Sequence, residues 1–86
     1  MKIQYSKSAV KFIKGLQSPV KLLVKEKIEG LTKTPPEGDT KVMQGYSDGR
    51  LRLRCGKYRI IYRYDILDKK TVLNIIDIGS RGDIYK

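Results

Sequence analysis

The side chains in this sequence that could do chemistry are arginines and tyrosines. Five of the six arginines, Arg50, Arg52, Arg54, Arg59 and Arg63, fall in the stretch Gly49 to Tyr64, which reads GRLRLRCGKYRIIYRY. The sixth, Arg81, stands in the tail GSRGDIYK together with Tyr85, whereas the first 49 residues hold nine lysines and no arginine. A guanidinium presents a planar fork that grips two phosphate oxygens at once, which an ammonium cannot do. Arginine segregated in this way points to a phosphate-bearing ligand more than to plain solubility. Histidine is absent and Cys55 is the single cysteine, so the commonest acid–base residue is missing and no internal disulfide can form. The donors for a zinc site are lacking too, and no metal or cofactor is expected.

Such arginines need a surface to display them, and the periodicity of the chain supplies one. Residues 2–6 alternate, with Ile3 and Tyr5 on one face, as a short strand does. Ser6 is placed to cap a helix in which Ala9, Phe12, Ile13 and Leu16 form one apolar stripe. Ser18-Pro19 opens a second helix, striped by Val20, Leu23, Val24, Ile28 and Leu31, and Pro35-Pro36 stops it. From Lys41 the period changes from helical to two, and Val42 and Met43 lead into a turn at Ser47-Asp48-Gly49. Leu51 and Leu53 then face one way and Arg50, Arg52 and Arg54 the other. After a turn at Cys55-Gly56-Lys57, Tyr58, Ile60, Tyr62 and Tyr64 line one face, and Arg59, Ile61 and Arg63 the opposite one. Asp65 to Lys70 reads as a hairpin loop, and Thr71 to Ile78 as a strand buried on both sides.

The expectation is a single α+β domain over residues 1–86, ordered β-α-α-β-β-β. Its mostly antiparallel four-stranded sheet carries a helical hairpin on one face. The helices cover the leucine and tyrosine face. The face with Arg50, Arg52, Arg54 and Arg59 is expected to lie open to solvent or a ligand, because unpaired buried charge costs several kcal/mol per group.

A net charge of +10 on 86 residues fits a polyanionic partner: nucleic acid, an anionic membrane surface or an acidic protein. A generically basic, soluble surface is the plain alternative. No apolar run approaches the ~20 residues of a membrane span, and Phe12 is the only aromatic in the helices, so a membrane-binding role is disfavoured. Met1-Lys2-Ile3 leads directly into charged sequence with no signal peptide, so a cytoplasmic location is expected.

Three segments carry a resemblance. Lys41-Val42-Met43-x-Gly45, then Arg50-Leu51-Arg52-Leu53-Arg54-x-Gly56-x-Tyr58-Arg59-Ile60-Ile61-Tyr62, then Ile78-Gly79-x-Arg81-x-Asp83-Ile84-Tyr85 are similar to the RelE/ParE toxin superfamily, along essentially the whole chain. The resemblance implies a microbial-RNase-like fold, a toxin of a type II toxin–antitoxin system and a cognate antitoxin that neutralises it. RelE-type members cleave mRNA in the A site of the 70S ribosome without metal, whereas ParE-type members inhibit DNA gyrase. Residue by residue, the RelE-type nuclease surface corresponds to Arg50 and Arg52 on the second strand, then Arg54, Arg59, Arg81 and the terminal Tyr85. The chain departs from the best-known RelE type in carrying arginine, not lysine, at positions 50 and 52, and in placing Ser80 where many relatives have histidine.

On that resemblance the catalytic set is Arg52, Arg59, Arg81 and Tyr85, and the RNA phosphates are held by Arg50, Arg52, Arg54, Lys57 and Arg63. Tyr85 is the candidate base for the attacking 2′-hydroxyl, its pKa of about 10 lowered by neighbouring arginines. Arg54 and Arg59 would hold the non-bridging oxygens and Arg81 the leaving oxygen. Arginine is a poor proton donor, so the isolated protein is expected to be sluggish and to depend on the ribosome to position the RNA. Two alternatives stay open: a ParE-like gyrase inhibitor that is not an enzyme, and an inactive relative that binds antitoxin or nucleic acid.

Overall fold

The computed structural model describes residues 1–80. Strand β1 (Lys2–Tyr5) leads into helices α1 (Lys7–Lys14) and α2 (Val20–Gly30). Strands β2 (Asp39–Val42), β3 (Leu51–Cys55), β4 (Tyr58–Leu67) and β5 (Lys70–Ser80) follow. They form one sheet in the order β1-β5-β4-β3-β2, antiparallel throughout except that β1 runs parallel to β5. The expected class and element order hold, with one correction. The sheet has five strands, not four, because Asp39–Val42 pairs with β3 as an edge strand. All four of its residues are exposed, so ladder hydrogen bonds and not apolar alternation create it.

Helix α1 starts where Ser6 was expected to cap it. The Ser6 hydroxyl accepts from the Ala9 N–H at 3.1 Å and donates to the Ile76 carbonyl at 2.6 Å, tying the helix start to β5. That carbonyl belongs to a β-bulge: Ile61 faces Asp77 but Tyr62 faces Ile75, leaving Ile76 as the extra residue. Helix α2 begins at Val20, with Pro19 just outside it. Ala9, Ile13, Val24 and Ile28 of the two helices, with Leu31 just after α2, are buried against Leu53, Ile60, Tyr62, Leu73, Ile75 and Ile78 of the sheet. Leu23, expected in the α2 stripe, is instead 46% exposed. Phe12 meets Tyr58 edge-on at 5.7 Å, and the Tyr64 hydroxyl donates to the Leu31 carbonyl at 2.8 Å. Burial, with Tyr64 nearby, pushes the Tyr62 phenol up to about 12, so this tyrosine is a core residue and stays protonated.

The β4–β5 hairpin is longer than expected. Its strands run to Leu67 and from Lys70, joined by the two residues Asp68 and Lys69, both at positive φ (51° and 65°). That left-handed pair is the tight-turn geometry whose twist matches the flanking strands. Among the described residues no helix is long and apolar enough to cross a membrane.

The entry into β2 is closely fitted. Gly38 has φ +119°, and a Cβ there would stand 2.7 Å from Cδ1 of the fully buried Leu53. Gly38→Ala therefore meets both an unfavourable backbone conformation and a leucine methyl that can give way only by disturbing the packed core. It is expected to lower stability by about 1–3 kcal/mol, read as a lower urea midpoint at unchanged slope. An unchanged midpoint would show that β2 does not need this approach.

Candidate phosphate-binding face

The register of the sheet fixes which side chains share the face away from the helices. One cross-strand row runs Asp39, Arg54, Arg59, Gly79, and the next runs Lys41, Arg52, Ile61, Asp77. Arg54 and Arg59 are thus direct partners, with Cβ atoms about 4.5–5.5 Å apart, a placement in which like charges repel. Arg54 is half exposed and has Asp39 at 3.7 Å on its other side, a loose contact. Arg52 is half-buried and makes no ion pair among the described residues, and its Nε–H is buried without an acceptor.

Arg59 departs from expectation. It is only 4% exposed, where an open arginine face was anticipated. Its burial is tolerable because one terminal nitrogen donates to the carbonyls of Gly56 and Tyr58, each at 3.0 Å. Its Nε–H has no acceptor among the described residues. The turn carbonyls therefore hold the guanidinium in place and leave donor capacity unfilled. That arrangement suits an anion, since an unmatched buried donor costs about 1–3 kcal/mol.

The other two described arginines are already paired. The Asp48 carboxylate accepts from Arg50 Nε at 2.8 Å and from Arg63 at 3.0 Å. Arg63 Nε also donates to Asp65 at 2.9 Å, and Asn74 donates to the same Asp65 oxygen. Carboxylates thus share this face with the arginines: Asp39, Asp48 and Asp65 all reach it. Lys57 is exposed in the β3–β4 turn with its ammonium 5.4 Å from the Tyr58 ring centre. Arg81 and Tyr85 lie outside the described residues. Cys55 is buried in the core, and burial raises its thiol pKa, so it acts as a small apolar residue. Among the described residues no three His, Cys, Asp or Glu side chains come together as a metal site would require.

The family model for the ParE toxin of type II toxin–antitoxin systems matches residues 3–85. The chain belongs to this family. A search of the curated proteins returns no match. Among solved structures, the archaeal RelE–RelB complex from Pyrococcus horikoshii OT3 contains a chain 27% identical, with TM-score 0.70, covering 95% of this chain and 96% of that one. The isolated E. coli RelE toxin is 26% identical with TM-score 0.66, over 98% and 89% of the two chains. The YoeB/ParE toxin from Agrobacterium tumefaciens, at 23% identity and TM-score 0.72 over 94% and 99%, shares the fold.

Within this ParE-family chain, sequence reasoning missed the role of Asp48. Its turn position was legible, but the neighbours that fix it, Arg50 and Arg63, are brought together only by pairing of the strands. A hydrogen bond from Arg50, supported by the charges of Arg50 and Arg63, holds the Asp48 carboxyl below the usual carboxylate range. Hydrogen bonds from Arg63 and then Asn74 do the same for Asp65. Both folded-state pKa values are depressed, so the stabilisation is present above the unfolded value of about 3.9 and is lost as pH falls through the folded values. Carboxyl NMR titration should place both midpoints below that of an ordinary aspartate. Arg63→Ala should return Asp65 most of the way to the ordinary value and Asp48 only in part, since Arg50 remains. An Asp65 midpoint near 3.9 in the unaltered protein would contradict the network.

Proposed function

We propose that this toxin is a ribosome-dependent, metal-independent endoribonuclease. The observation that carries the reading is the trio Arg52, Arg54 and Arg59: adjacent on one sheet face, two of them with a buried donor lacking an acceptor, and none held in a close ion pair among the described residues. The identity to RelE chains supports it. In the reaction, the 2′-oxygen of the RNA attacks the adjacent phosphorus, and the bond from phosphorus to the 5′-oxygen breaks. The products are a 2′,3′-cyclic phosphate and a 5′-hydroxyl. The arginine trio offsets the charge that builds on the non-bridging oxygens. Tyr85 takes the 2′-proton as phenolate. Arg81 stabilises the leaving oxygen, which takes a proton from water as it departs, and the proton held by Tyr85 is returned to solvent. The side chains around this trio include no histidine, so alignment of the RNA for in-line attack must come from the ribosome.

Arg50 and Arg63, held by Asp48 and Asp65, extend positive potential along the RNA path and contribute less phosphate affinity than the unpaired arginines. The partner is a cognate antitoxin. RelB accompanies RelE in the Pyrococcus structure, and a +10 surface attracts an acidic chain. A groove lined by Tyr5, Val10 and Ile13 and rimmed by Lys14, Lys21 and Lys25, with Glu29 as its one acidic residue, keeps a net positive rim that suits an acidic amphipathic segment. The protein works in the cytoplasm, where ribosomes and antitoxin are.

A second reading stays open because the chain matches the ParE toxin family: inhibition of DNA gyrase without nuclease chemistry. One paired experiment separates the two: cleavage of mRNA on programmed ribosomes with a chelator present, beside a gyrase supercoiling assay. The expected result is cutting in the A site. Arg52→Ala, Arg81→Ala and Tyr85→Phe should each slow it by about a hundredfold or more. Inhibited supercoiling with intact mRNA would assign the protein to gyrase instead.

A further inference from the structure

The loop between β2 and β3 carries an aromatic ring that neither the core nor the proposed reaction uses. Tyr46 is 48% exposed, and the Arg50 guanidinium carbon lies 4.6 Å from its ring centre. This is a guanidinium placed over an aromatic face, a favourable arrangement. The stack is anchored. Arg50 Nε is bonded to Asp48 at 2.8 Å, Asp48 is bonded to Arg63 at 3.0 Å, and Arg63 is bonded to Asp65 at 2.9 Å, on the long strand β4. The Met43 N–H donates to the Arg50 carbonyl at 3.0 Å and closes the base of the loop. A side chain on a surface loop is thus oriented by a chain of charged contacts that ends in the sheet.

We propose that Tyr46 is a nucleobase-stacking subsite beside the phosphate-binding arginines. The inference rests on the RNA-binding reading above. Arg50 immediately precedes β3, and the Met43–Arg50 hydrogen bond carries the β2–β3 pairing back to it, so Arg50 and Arg52, two residues apart, lie about 7 Å apart on the same face. A nucleotide whose phosphate lies against Arg52 therefore has its base within reach of the ring that Arg50 supports. The Asp48 bridge explains why Arg50 is neutralised on a face otherwise built to hold phosphate: its guanidinium positions the ring. A base on the exposed side of Tyr46 completes a base–tyrosine–guanidinium stack. Because every base has a π-face, such a subsite is sequence-tolerant. It favours purines by their area and adds affinity without hydrogen-bond readout.

The test uses the purified full-length toxin and a short RNA with a 2′-deoxy residue at the susceptible position, so that it cannot be cut. Successive positions of this RNA are replaced by the fluorescent base 2-aminopurine. At one position the unaltered toxin should quench the fluorescence. Tyr46→Ala should remove that quenching and weaken binding about tenfold, the scale of losing one base–aromatic stack. Tyr46→Phe should restore both. Arg52→Ala should weaken binding at all positions and steepen no quenching at any. Urea midpoints of the Tyr46 variants serve as the folding control. If Arg52→Ala weakens binding but Tyr46→Ala binds and quenches like the unaltered toxin, stacking is overturned while the RNA-binding reading stands. If the unaltered toxin cuts on ribosomes but does not bind this RNA, or binds it with no quenching at any position, stacking is overturned while the nuclease reading stands. If it neither binds this RNA nor cuts on ribosomes, both are overturned.

Discussion

Leu53 must face Ile60. That pairing sets the β3–β4 register, and because side chains alternate strictly, a slip of one residue would turn the whole apolar set to the outside and the arginines into the core. The register is held from both directions. On the inner side Leu53, Ile60 and Tyr62 are sealed under the helices, and on the outer side the same alternation delivers Arg52, Arg54 and Arg59 to one surface. Core and site are thus two consequences of one strand pairing. The juxtaposition of Arg54 with Arg59 is tolerated because the hydrophobic face leaves the hairpin no alternative register.

The charges on the outer face fall into two groups with different physics. Arg50 and Arg63 converge on Asp48, and Arg63 also on Asp65, so their fields largely cancel and their side chains are held still. Among the described residues Arg52 and Arg59 have unfilled donors, with Arg59 fixed by backbone carbonyls that neutralise no charge. Positioning by neutral acceptors keeps the full cationic charge available to a ligand, whereas positioning by carboxylates does not. A face of uniform arginines in the sequence is therefore functionally uneven in three dimensions.

Much of this was readable from periodicity. The cap at Ser6, the stripes of Ala9, Ile13, Val24, Ile28 and Leu31, and the opposition of Leu53 to Arg52 and Arg54 follow from spacing alone, because burial drives them. What escaped is what burial does not drive. Strand β2 is exposed at every residue and exists because β3 offers it hydrogen bonds. The Asp68–Lys69 turn lacks the glycine that usually marks a two-residue hairpin, and the strand ends beside it, Ile66 and Leu67, are exposed. The burial of Arg59 depends on carbonyls in the neighbouring turn, and the Asp48 bridge on a residue 15 positions away. The Tyr46 ring gave no periodic signal because it belongs to a loop.

The parallel pairing of β1 with β5 has a bearing on how the molecule comes into being. Lys2 is matched with Val72, and the Ser6 cap of the first helix is closed by the carbonyl of Ile76. The earliest strand and the first helix thus wait for the last strand before they can dock, a topology of high contact order. During translation the residues through Ile75 must emerge before β1 can pair with β5, its one sheet neighbour among the described residues. The toxin is thereby withheld from its folded form until the residues of β5 have been made, so its first strand and first helix cannot dock ahead of the sheet that receives them.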